Sequence, residues 1–390
     1  MHIIALAFIA EPNYLNMKYS ILFLVSFFSL SMSYAQNDDI SPKLSSPILE
    51  TIHSDIVNFD YNIFVTLPTN YTPKEKTYQV LYYLDAWTKT DVLNAAALHQ
   101  TDQKQINPVI LVGISYNTNF EGRSPIRTRD YVPGLKSNDT LHRADNFLQF
   151  IKTELIPYID GKYATKVNDR GLLGFSYGGL FCAWVLKQEP ELFQKMGIIS
   201  PSLWYEEKAL FKDEELLNNI KKAKNLNLLI ACGSLESDNM RSNSKQLFDL
   251  LNANQNIKVS NIVFEDENHS TVSIVAYNRA LTYFYRNQYA VYIDKAFELF
   301  AEKNYEKSIE NILNAFQYDP EQITLRNRYG LATLYALLEN KDGAFKQLDI
   351  ISELKNYDFY EHIVNDKSFE SLRSDKRWVE LIDFYKKLKE

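Results

Sequence analysis

The sequence predicts an α/β protein: a mostly parallel sheet covered by helices on both faces, then a small all-α helical-repeat region. Three observations carry this. Short apolar runs, among them Gln79–Leu84, Val109–Ile114 and Met196–Ile199, alternate with helix-length segments, as in strand–helix–strand units. These runs are almost continuously apolar, as strands covered on both faces are. From about Tyr292 the strand signals stop and only helical patterns follow.

Three segments result: a signal peptide at 1–35, an α/β domain at 36–290 and a helical region at 291–390. Met17-Lys18 gives a positive start, with Met17 an alternative initiator, and Ile21–Leu30 is apolar. Ser33-Tyr34-Ala35 before Gln36 fits a small-x-small cleavage site. The apolar run is too short to span a bilayer as a helix. The expectation is export, to the periplasm or outside the cell. The chain has 390 residues, 46% hydrophobic and 23% charged, ordinary for a soluble globular protein of two domains. A net charge of -7, with no basic stripe to meet phosphates, argues against a nucleic-acid partner. Cys182 and Cys232 read as free buried thiols rather than a bridge.

Leu49–Val57 and Tyr61–Leu67 alternate like two strands joined by a turn. Gln79–Leu84 is a third strand, ending at Asp85-Ala86-Trp87, and Thr90 or Asp91 caps a helix through about His99. Val109–Ile114 is a fourth strand. Ser115–Leu141 reads as a long loop holding Arg123, Arg127, Arg129 and Asp130, followed by a helix over Ala144–Ile159. Later strands fall at 170–173, 196–199, 226–232 and 259–264, with helices at Glu207–Lys222, Met240–Asn254 and Thr271–Tyr289 between and after them. In the helical region, Lys303–Ile309 matches Glu339–Phe345 at a spacing of roughly 36, near the tetratricopeptide period of 34. Such repeats suit a protein partner.

The chemistry centres on Gly174-Phe175-Ser176-Tyr177-Gly178. This run reads as the G-x-S-x-G nucleophile-elbow pattern, with a short apolar strand before it and an unbroken helical stretch after it. A serine hydroxyl needs a base within reach. Of the six histidines only His269 and His362 follow Ser176, and His269 sits just past the last strand, so His269 is the candidate base. The acid that orients it should follow the preceding strand. Glu236 lies three residues past Gly233, with Asp238 as the alternative. The oxyanion hole needs two backbone N–H groups, placed by position at Tyr177 and at Ala86 or Trp87.

These residues, with Leu84-Asp85-Ala86, Arg127–Pro133, Ser200-Pro201-Ser202-Leu203-Trp204 and Asn268-His269-Ser270, resemble the "Putative esterase" family. That family holds the enterochelin-esterase-like and esterase D-like α/β-hydrolases. The resemblance covers about 45–285. It implies an α/β-hydrolase fold and a serine carboxylic-ester hydrolase with Ser176, His269 and Glu236 as triad. It also implies that Trp204, Arg127 and Arg129 border the substrate cleft. The chain departs from the family at Ala86-Trp87, where glycine and aspartate are commoner. The expected partner is a small-molecule or glycan-linked ester: a siderophore lactone, a feruloyl or acetyl ester, or a small acyl ester. Two other readings use the same residues: an acyltransferase on this triad, and an interaction module with a vestigial site. No H-E-x-x-H, paired C-x-x-C, P-loop or dinucleotide fingerprint occurs, so no metal or cofactor is expected.

Overall fold

The computed structural model describes residues 46–134, 141–205, 209–212, 214–353 and 358–389. The expected signal segment lies outside them. Among the described residues no helix is long and apolar enough to cross a membrane. Ser45–Glu390 forms one compact unit.

Eight strands form one sheet in the order β1-β2-β4-β3-β5-β6-β7-β8. They are β1 (Ile48–Ser54), β2 (Phe59–Thr66), β3 (Tyr78–Tyr83), β4 (Val109–Tyr116), β5 (Thr165–Phe175), β6 (Lys195–Ile199), β7 (Leu226–Gly233) and β8 (Ile257–Phe264). The β1–β2 and β2–β4 pairs are antiparallel, and the others are parallel. Every residue of β4 is buried, whereas β2 alternates. This is the α/β-hydrolase fold.

Successive side chains of the central strands enter opposite faces. Val80, Tyr82, Leu172, Ile198 and Ile230 join one core cluster. Leu81, Tyr83, Leu173, Ile199 and Leu229 join the other. Helix α1 (Ala86–Asp102) supplies Leu93 and Ala97 to the second cluster. After α2 (Phe120–Tyr131), helix α3 (Ala144–Phe150) runs through a π-helical turn (Ile151–Leu155) into α4 (Ile156–Lys162). These and α5 (Tyr177–Gln188) cover the first face with Phe147, Phe150, Ile151, Phe181 and Val185. Helices α6 (Glu214–Lys222) and α7 (Asp238–Asn252) follow, and α8 (Val272–Tyr285) returns to the second face with Ala276, Tyr277 and Leu281.

Three elements differ from the sequence reading. The expected loop at 115–141 contains helix α2, despite Gly122 and Pro125. Asn119 caps it by accepting from the Gly122 N–H at 3.0 Å, and ion pairs of Arg127 and Arg129 hold its last turns. Helix α1 starts at Ala86, not at Thr90. The Thr90 hydroxyl, which read as a cap, instead donates to the Ala86 carbonyl at 2.7 Å inside the helix. The expected single helix 271–289 breaks at Arg286, and Asn287 caps α9 (Gln288–Ala301).

The remaining helices are α10 (Tyr305–Tyr318), α11 (Leu325–Leu337), α12 (Lys341–Glu353), α13 (Asp358–Asn365) and α14 (Lys376–Lys389). Lys303 (φ 60°) and Glu339 (φ 56°) take the same left-handed conformation just before α10 and α12. Both are followed by asparagine, so the two matched segments share a turn. The helical region meets the α/β body at the N-terminal ends of the parallel strands. There Asn107 N–H, before β4, donates to the Tyr285 carbonyl, and Asn287 N–H donates to the Gln105 carbonyl. Lys76, before β3, pairs with Glu321 at 2.7 Å.

Candidate active site

The C-terminal ends of the same strands bring the candidate residues together. Strand β5 stops at Phe175, and Ser176 turns the chain into α5 with φ 60° and ψ −115°. A non-glycine residue there is strained by on the order of 1–3 kcal/mol, and persists only if its surroundings hold it. They do so through the main chain. Ser176 N–H donates to the Ile199 carbonyl at 3.0 Å, and the Ser176 carbonyl accepts from Leu180 N–H (3.0 Å) and Ser202 N–H (3.1 Å). A Cβ on Gly174 would lie 2.2 Å from the Gly178 carbonyl oxygen, and one on Gly179 would lie 2.8 Å from that of Ile199. Close approach of backbones therefore explains both glycines.

His269 arrives on the loop after β8. Its Nε2 lies 3.2 Å from Ser176 Oγ, and its ring rests on Phe175 with centroids 4.7 Å apart. Main-chain bonds tie this loop to the one after β7: Leu235 N–H donates to the Glu267 carbonyl at 3.0 Å, and Ser234 N–H to that of Phe264 at 2.8 Å. Glu236, on the β7 loop, is buried, and its Oε1 lies 3.5 Å from His269 Nδ1. Asp238 starts α7, where its side chain is 96% exposed and pairs with Arg241. Of the two candidate acids, the fold brings Glu236 to the histidine.

Tyr177 opens α5, and Ala86 and Trp87 open α1, so their N–H groups have no acceptor within their helices. Leu84 N–H donates to the Leu173 carbonyl, which carries the end of β3 to the elbow. Asp85 then turns with φ 58°. Trp204 is half-exposed, its ring 6.3 Å from that of Tyr177. Arg127 donates to both Asp85 oxygens and, at 3.0 Å, to the Phe175 carbonyl. Burial pulls its pKa down, but Asp85 more than offsets this, so its proton is held more tightly than usual. Arg129 is occupied by Asp130 and by the Tyr61 hydroxyl, and covers the Phe59 ring.

Three residues to which the sequence reading gave no role belong to this neighbourhood. Ser200 donates to Glu236 Oε1 at 2.6 Å. Ser202 places its Oγ 3.4 Å from Ser176 Oγ. Both lie in the Ser-Pro-Ser-Leu-Trp run, which was the available signal. Lys89 donates to Ser273 Oγ at 2.7 Å and lies over the Phe175 ring, tying α1 to α8. Burial lowers its pKa, Asp85 opposes this and Arg127 adds to it. A lone helix lysine gives no sequence signal. Cys182 and Cys232 are free and buried. Among the described residues no cluster of three His, Cys, Asp or Glu is placed to hold a metal ion.

Comparison with known proteins agrees with this architecture. The family profile described as "Putative esterase" matches residues 54–282. The ferri-bacillibactin esterase of Bacillus subtilis is 29% identical over 247 residues, which cover 58% of this chain and 85% of the relative. The crystal structure of a BES protein from Bacillus cereus superposes with a TM-score of 0.56 at 24% identity, covering 64% of this chain and 99% of that one. An IroE-like serine hydrolase from Shewanella oneidensis gives a TM-score of 0.54 at 19% identity, covering 88% of this chain and 98% of that one. A match of that extent reaches into the helical region.

Proposed function

The chain belongs to the "Putative esterase" family and is a serine carboxylic-ester hydrolase; we propose that it works through a Ser176–His269–Glu236 triad and an acyl-enzyme. His269 Nε2 takes the proton as Ser176 Oγ attacks the ester carbonyl. The Tyr177 N–H, with that of Ala86 or Trp87, receives the developing oxyanion. The imidazolium then protonates the leaving alcohol, and water activated by His269 releases the acid. The observation that carries this is the 3.2 Å contact between groups 93 residues apart.

The substrate class this reading favours is a siderophore ester, because the relative matched over 85% of its length is named for one. Trp204 forms a wall of the cleft in this reading. Arg127 and Arg129 border it from behind, since a carboxylate engages each guanidinium, Asp85 the first and Asp130 the second. The segment 17–35 supports export, to the periplasm or beyond. The paired turns at Lys303 and Glu339 support tetratricopeptide-like repeats. Their attachment at the sheet end opposite the elbow suits a protein partner rather than a lid.

The test is covalent. A fluorophosphonate probe should label the wild-type chain at Ser176. Ser176→Ala should not label, and its kcat on a p-nitrophenyl ester should fall on the order of 10⁶-fold. Unchanged turnover by that variant would refute the reading. A siderophore ester hydrolysed no faster than a short-chain ester would remove the substrate assignment alone.

A further inference from the structure

We propose that Ser200 is a positioning residue for this reaction, its hydroxyl holding the Glu236 carboxylate in the orientation that faces His269. This rests on the triad reading above. Ser200 follows β6 with φ 41°, in the left-handed region where a non-glycine residue is strained. It is fully buried. Its N–H donates to the Ala231 carbonyl on β7 at 2.7 Å, which fixes the turn against the strand that leads to Glu236.

The carboxylate has few other supports. Among the described residues, neither Glu236 Oε2 nor His269 Nδ1 has a hydrogen-bond partner. The 2.6 Å bond from Ser200 is thus the short contact that sets the rotation of the carboxylate. A hydrogen bond to a charged group is shorter and roughly twice as strong as a neutral one. Pro201 lies against Gly179 of the elbow helix, where an added Cβ would come within 3.0 Å of it. Ser202 N–H then holds the Ser176 carbonyl. One tripeptide, Ser200-Pro201-Ser202, therefore spans from acid to nucleophile and sets their separation.

Among the described residues no other charged neighbour replaces this donor. On α7, Arg241 donates to the Glu236 main-chain carbonyl at 2.7 Å and pairs with Asp238. On β7, the Cys232 thiol is pushed up to about 11, by burial first and by the Glu236 charge second. On the histidine loop, Glu267 offers a main-chain carbonyl to Leu235, and Asp266 a main-chain N–H to Ser234 Oγ. On α1, Lys89 is bonded to Ser273. Removing the Ser200 hydroxyl takes a donor from an anion that is already desolvated. Without that donor the carboxylate is less well solvated as an anion, and its charge acts more strongly on the imidazolium beside it.

The test compares Ser200→Ala, which keeps the backbone strain, with Ser200→Gly, which relieves it. Neither can donate. Both should lose about 10- to 100-fold in kcat with little change in KM, matching one hydrogen bond to a charged group. In both, the acidic limb of the kcat/KM profile should move to higher pH. The fluorophosphonate should still label Ser176 to completion, more slowly. Wild-type kinetics in both variants would overturn the proposal, and so would a lower kcat with an unmoved acidic limb, the mark of a packing role. Failure of the wild-type chain itself to label would instead remove the triad.

Discussion

Arg127 grips both carboxylate oxygens of Asp85, through Nε at 2.8 Å and Nη2 at 2.9 Å. Asp85 is buried and Arg127 largely so, with side-chain exposures of 5% and 18%. It joins α2 to the residue that opens the candidate oxyanion loop. The same guanidinium reaches the Phe175 carbonyl, one residue before the nucleophile. Removing one partner of a buried pair leaves an uncompensated charge. Arg127→Met should therefore cost about 3 kcal/mol in urea unfolding and lower kcat by misplacing both ends of the oxyanion site. Arg127→Lys keeps the charge but not the fork, and should fall between. A raised KM with unchanged stability would instead make Arg127 a substrate contact.

Glu236 and Asp238 differ by two positions but face different surroundings. The Glu236 side chain is 1% exposed beside His269, and that of Asp238 is 96% exposed. In the proposed triad, Glu236→Gln keeps size and removes the charge that faces the imidazolium. It should lower kcat about 10⁴-fold. Asp238→Asn should stay within about twofold, as surface changes usually do. A steady-state comparison on one p-nitrophenyl ester decides between them. Loss confined to Asp238→Asn would transfer the role.

The parts of this molecule that were legible in sequence are those set by local pattern. Strands β3, β4, β6 and β7, and the buried second half of β5, were visible because burial on both faces makes them almost continuously apolar. Ser176 was visible because strand, turn and helix must converge there, and His269 because it follows the last strand. What stayed hidden depends on partners distant in the chain. Helix α2 carries Gly122 and Pro125 within its 12 residues, so its local propensity is that of a loop. It forms because Arg127 finds Asp85, 42 residues earlier. Ser200 and Lys89 are ordinary residues locally, and only the folded sheet brings them to Glu236 and Ser273.

The elbow glycines make unequal demands, although the motif writes two of them as equals. A methyl on Gly174 would sit 2.2 Å from the Gly178 carbonyl oxygen and 2.8 Å from Cys182 Sγ. The oxygen is backbone held in a helix, so it cannot yield without opening the turn. A methyl on Gly178 would meet nothing closer than Leu84 Cδ1 at 3.3 Å, the end of a flexible side chain. Gly174→Ala should therefore lose about 3 kcal/mol, the upper part of the range for overpacking, and with it the left-handed turn at Ser176. Gly178→Ala should stay within about 1 kcal/mol, since alanine also favours the helix. It should also keep most of its fluorophosphonate labelling rate, because the Tyr177 N–H does not move. Urea midpoints and labelling rates for the two variants check this. The opposite order would show that strand β5 and helix α5 are not as close at Gly174 as described.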